Sequence, residues 1–110
     1  MATFKPPKSV QEAAKRSLEM RKSVPKSRKG GTAVGVARAN QLARGSAVSL
    51  DTIKRMVSFF ARHEVDKKAE GFRRGEKGYP SKGKIAWELW GGDSGRAWAK
   101  SILRRSKKNA

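Results

Sequence analysis

The sequence predicts an all-α fold, a small bundle of four to five short helices with a long Gly/Pro-containing loop and basic, flexible termini. Three observations carry that expectation. Apolar residues recur at helical spacing, Ser, Thr or Asp stands where such stripes begin, and glycine stands where they end. At 110 residues the chain fits one domain with one core.

Met1 to Lys8, with Pro6 and Pro7, reads as an extended basic arm. Ser9 with Glu12 forms a capping-box pattern, and Val10, Ala13, Ala14 and Leu18 then line one face of a helix reaching about Lys22. Ser23 to Gly31 is rich in Pro, Ser, Lys and Gly and reads as a flexible basic linker. Thr32 caps a second helix through about Ala43, with Val34, Ala37 and Leu42 facing inward and Gly45 ending it. Ser49 and Asp51 open a third helix, whose Ile53, Met56, Val57, Phe60 and Ala61 follow the i, i+3, i+4, i+7, i+8 spacing of a buried stripe. From Glu64 to Lys82, charges alternate with Gly71, Gly75, Gly78 and Pro80, giving a long polar loop. Ile85 to Trp90 forms a short apolar helix stopped by Gly91 and Gly92. Asp93 then caps a last helix carrying Ala97, Trp98, Ile102 and Leu103. The expected organisation is therefore a basic arm, helix and linker over 1–31, a helical core domain over 32–103, and a fraying basic tail over 104–110.

Charge directs the functional reading. There are 27 Lys plus Arg against 9 Asp plus Glu, a net charge of +18, and self-repulsion on that scale is relieved most simply by a polyanion. Residues 1–30 hold nine basic and two acidic side chains, and residues 81–110 hold eight and two. The expected phosphate contacts are Lys5, Lys8, Lys26, Arg28, Lys29, Arg73, Arg74, Arg104, Arg105, Lys107 and Lys108, with Phe72 and Tyr79 in the basic loop as aromatic contacts to the partner. Trp87, Trp90 and Trp98 share helical spacing with aliphatic residues and read as core.

Other chemistries find little support. The absence of cysteine excludes disulfides and thiolate metal sites. His63 is the sole histidine, with Asp66 at i+3, a spacing that suits a hydrogen bond at a helix end better than a metal or acid–base site. Glu64, Asp66, Glu70, Glu76, Glu88 and Asp93 read as partners of neighbouring Lys and Arg. Gly30, Gly31 and Gly35 lack the Gly-Lys-Ser/Thr ending of a phosphate loop, and Gly91-Gly92-Asp93 reads more simply as a junction between two helices than as a seat for one phosphate on the amides after it. No catalytic residue, metal or cofactor is expected. No apolar run approaches the roughly 20 residues needed to span a bilayer, and the N-terminus lacks a secretory apolar core, so no membrane partner is expected.

The run Phe59-Phe60-Ala61-Arg62-His63-Glu64-Val65-Asp66-Lys67-Lys68, together with Gly78-Tyr79-Pro80-Ser81 and Ile85-Ala86-Trp87 followed by Leu89-Trp90-Gly91-Gly92-Asp93, resembles uncharacterised small basic proteins of tailed bacteriophages. Similar segments are attached to phage head proteins. The resemblance covers about half the chain and implies a viral setting, in the host cytoplasm or the virion, without assigning any residue a role. The expected function is non-catalytic binding of nucleic acid, DNA ahead of RNA, through phosphates and with little sequence discrimination. The alternatives are a virion assembly protein whose basic arms meet capsid or packaged genome, a protein that inhibits a host target, and a metal-dependent nuclease built on His63, Glu64 and Asp66.

Overall fold

A computed structural model describes residues 2–108, the side chain of Lys108 excepted. Its helices are α1 (Lys8–Lys22), α2 (Ala33–Ala43), α3 (Leu50–His63), α4 (Lys82–Leu89) and α5 (Gly92–Lys108). Strands β1 (Thr3–Phe4) and β2 (Val48–Ser49) pair antiparallel, Thr3 opposite Ser49 and Phe4 opposite Val48. The all-α bundle is as expected, with this small sheet added. Helix α1 packs against α2, α4 and α5, and α3 packs against α5.

Helix α3 has the strongest pattern. Ile53, Met56, Phe59 and Phe60 point inward, and the Ser49 hydroxyl accepts the Thr52 amide at its start. Ala61, expected in the stripe, is exposed, and Phe59 takes the inward place. Thr32 caps α2 by accepting the Gly35 amide. Its buried face is Gly35, Ala39 and Leu42. Val34 and Ala37, expected inside, lie outside, because Gly35 is the residue small enough to sit near Trp90 and Leu89. Ser81, not foreseen as a cap, accepts the Lys84 amide at the start of α4.

The described residues near both ends form more regular structure than expected, with residues 109 and 110 of the expected fraying tail lying outside the described residues. The arm is fixed by the β1–β2 pairing and by Pro6, which is fully buried. Helix α1 begins at Lys8, directly after Pro7, with no side-chain cap. The Ser9–Glu12 box is therefore not used: the Pro7 carbonyl already takes the Val10 and Gln11 amides. Val10 and Ala14 join the same core as Trp87, so α1 belongs to the packed unit and not to an appendage ending at residue 31. At the other end α5 continues through Lys108 instead of fraying from Arg104, with Ala99 and Ile102 buried and Ala97 outside.

The segment expected to be a flexible linker is also tied down. Lys26–Arg28 forms a 3₁₀ turn, and Val24 is buried. Lys29 Nζ donates to the carbonyls of Arg21 and Val24 at 2.5 and 3.1 Å, closing the C-terminal end of α1. Gly30 lies hard against the backbone of Lys82 at the start of α4, where a Cβ would overlap the carbonyl.

Aromatic side chains fill the centre. Trp87 meets the rings of Phe60 and Phe72 edge-on at centroid distances of 4.8 and 6.1 Å. Its indole Nε1–H donates to Asp93 Oδ1 at 3.0 Å, and Lys67 Nζ donates to the same oxygen, also at 3.0 Å. Asp93 therefore sits in the first turn of α5 as an acceptor for α4 and for the 3₁₀ segment Glu64–Lys68, and the expected capping role is not seen. Gly91, at φ +105°, makes the turn between α4 and α5, and a Cβ there would meet Gly95 and Val10.

Gly30→Ala is expected to lower stability by about 1–3 kcal/mol, as overpacking against backbone does, in a urea unfolding curve. Burial opposes ionisation of Asp93, but the hydrogen bonds from Lys67 and Trp87 and the charges of Lys67 and Lys84 outweigh it and hold the carboxyl below its ordinary value of 3.8. A carboxyl depressed on folding contributes stability that is complete above its unfolded pKa and is lost as pH falls through the folded value. Asp93→Asn keeps an acceptor for Trp87, so it is expected to flatten this acid-side loss in melting temperatures taken below about pH 4. Asp93→Ala strands the indole N–H and is expected to cost about 1–2 kcal/mol at neutral pH.

Candidate nucleic-acid interface

Among the described residues, Lys22, Arg55, Lys67, Lys84 and Arg96 reach a carboxylate within ion-pair distance. The other described lysines and arginines have no such partner, so the positive field of the sequence survives folding.

The predicted contacts are spread over several faces. Lys5 and Arg105 come together, with half-buried Trp98, around an open groove of about 790 Å³ between the β1 arm and α5. Arg104 and Lys107 line a neighbouring depression with Lys100. The side chain of Lys108 lies outside the described residues. Lys8, Lys26, Arg73 and Arg74 are exposed. Arg28 is exposed too, but its Nη2 donates to the Gly78 carbonyl at 2.5 Å and holds the Gly-rich loop. Lys29 is engaged in closing α1 and is the least available of the set. Tyr79 is half-buried. Phe72 is a correction: at 5% exposure it packs on Trp87, with Lys84 Nζ 4.9 Å from its ring centroid, and offers no surface for stacking on a partner. Its position in a charged loop concealed a core residue. The core assignment of the tryptophans holds for Trp87 and Trp90.

A second groove, of about 490 Å³, escaped the sequence reading. It runs between the start of α2 and the outer face of α3. Lys54, Ser58 and Arg62 stand at i, i+4 and i+8 along α3, with Arg55 beside them, and no Asp or Glu lines the groove. Of its cations, Arg55 alone has a carboxylate, Asp51 at 3.2 Å, and that pair is well exposed. The signal was present as the polar complement of the Ile53–Phe60 stripe. The floor is an aromatic column: Trp90 stacks on Phe59 at 4.7 Å and 14°, and Phe59 stacks on His63 at 4.4 Å and 27°. Arg38 closes the column, its guanidinium carbon 5.4 Å from the Trp90 centroid. Its Nε is buried with no hydrogen-bond partner among the described residues. Burial, and then the charge of Arg55, draw the Arg38 guanidinium below its usual pKa.

His63 Nδ1 lies 3.1 Å from Asp66 Oδ2, the helix-end pairing expected from the spacing. Glu64 turns instead to Arg96 at 3.3 Å. Among the described residues no three His, Asp or Glu converge into a group able to hold a metal, and no helix is long and apolar enough to cross a membrane. Comparison of the chain with protein-family models, curated proteins and solved structures gives no match.

Lys54 and Arg62 are solvent-exposed and unpaired, so the double change Lys54→Gln with Arg62→Gln is expected to leave folding stability within about 0.5 kcal/mol of the parent. Urea midpoints with an unchanged m-value would check this.

Proposed function

We propose that the protein is a non-catalytic nucleic-acid-binding protein of a phage, holding DNA in preference to RNA through its phosphates and with little discrimination of sequence. The observation that carries this reading is the disposition of charge. Cations without carboxylate partners line the α2–α3 groove and the arm–α5 groove, and exposed Lys26, Arg73 and Arg74 extend the positive surface between elements. Residues placed this way meet a regularly charged backbone at many points, which supplies affinity and register but reads no base edge. The likeness of Phe59 to Trp98 to tailed-phage segments supports the viral setting.

The test is binding of the nuclease-treated protein to labelled duplex DNA, single-stranded DNA and RNA of equal length across a salt series. Six phosphate contacts are expected to weaken binding by about 10³ between 50 and 200 mM salt. Changing Lys5, Arg104, Arg105 and Lys107 together to Gln should lower the slope of log affinity against log salt by roughly one per contact removed. Scrambling the sequence should leave affinity nearly unchanged. Absence of binding to all three at the lowest salt would overturn the proposal.

A further inference from the structure

We propose that the groove between α2 and α3 is a single-strand site, in which one unpaired base stacks on the outer face of His63 while flanking phosphates meet Lys54, Arg55 and Arg62. This deepens the phosphate-binding reading and rests on it.

The aromatic column fixes the geometry. Trp90 and Phe59 are buried and spend their faces on each other. His63 is the last ring, with one face against Phe59 and 41% of its side chain exposed. An imidazole held this way is a platform: Phe59 supports it from below and Asp66 fixes its edge at Nδ1, so it loses little freedom when a further ring is laid on it. A base fits such a surface because its face is apolar and polarisable, and because a strand has a base beside each phosphate.

The walls match the rest of a nucleotide. Arg62 precedes His63 on α3, Arg55 and Lys54 lie about two turns earlier, and all three line the same groove. Val34, 58% exposed, stands at the rim as an apolar contact for a sugar or base edge. No carboxylate lines this groove, and although Asp66 stands at the edge of His63 and Asp51 beside Arg55, Lys54 and Arg62 leave its wall net positive, which favours an anionic occupant. Duplex DNA keeps its bases stacked inward and offers this groove phosphates alone, so the site distinguishes unpaired from paired strands.

The deciding experiment compares oligothymidylate of about 15 nucleotides, within the usual site size of a single-strand binder, with an abasic strand of the same length and charge. It is run at roughly 0.3 M salt, where charge attraction is screened within less than about 8 Å. The wild-type protein is expected to bind the base-bearing strand roughly 5- to 150-fold more tightly, the span of one base–aromatic stack. His63→Leu should abolish that preference while binding the abasic strand as the wild type does, and His63→Tyr should restore it. A 5-bromouracil-bearing strand should photocross-link to wild-type protein within Phe59–His63, a measurement that needs no variant. Equal binding of the two strands by wild type, a preference that survives His63→Leu, or cross-links confined to another surface would overturn the single-strand site and leave phosphate binding intact. Failure of both strands to bind at low salt would instead remove the parent reading.

Discussion

One carboxylate oxygen joins three parts of this molecule. Asp93 Oδ1 receives the indole N–H of Trp87 from α4 and the ammonium of Lys67 from the segment after α3, while Asp93 itself belongs to the first turn of α5. Trp87 is the largest fully buried side chain, and its single polar atom reaches out to an acceptor at the surface, the largely exposed Asp93. Lys67 and Arg96 also lie over the indole ring, with their charged atoms 5.0 and 5.8 Å from its centroid. In a chain so rich in cations, an acid at this place lets positive side chains close around an apolar ring without leaving the ring's N–H unmet. The packing of Phe60 and Phe72 on Trp87, and through Phe59 the placing of Trp90 and His63, follow from that centre.

The aromatic layer thus links stability to the candidate site. Its inner rings are core, and its last ring reaches the surface between cations. A base added there would extend a stack that folding has already begun. Lys5 of the arm and Arg105 of α5 line a different groove, so the proposed strand capture at α3 and the proposed general attraction at the ends would be separable by substitution.

How far the sequence discloses this depends on the range of the interactions involved. The α3 stripe, the Thr32 and Ser49 caps and the glycine break before α5 are local signals, and each appears in the structure close to its expected place. The inward face of α2 was misread because Gly35 carries no hydrophobic signal, yet its smallness is what admits Trp90 and Leu89. The structure of the arm and linker arises from contacts distant in sequence: Thr3 with Ser49, Gly30 with Lys82, and Arg28 with Gly78. Composition described those segments as basic and Pro/Gly-rich, and they are, but no periodicity announces a partner so far along the chain. The same limit concealed the candidate site. Lys54, Ser58 and Arg62 were legible as the outer face of a helix, whereas the Trp90–Phe59–His63 stack needs α4 brought against α3.

The region joining α1 to α2 shows how the chain carries its charge without surrendering it. Arg21 donates to the Gly30 carbonyl, Arg28 to that of Gly78, and Lys29 to those of Arg21 and Val24. Carbonyl dipoles orient these cations but, unlike carboxylates, do not cancel them, so the segment is shaped while its outward field persists. On the proposed reading a polyanion arriving there would meet a segment already shaped by these bonds, so the encounter would be docking rather than coupled folding, with little free energy spent on ordering the chain and a small heat capacity change. Exchange of bound strands would then be set by competition with salt ions rather than by the time the protein needs to refold around its ligand.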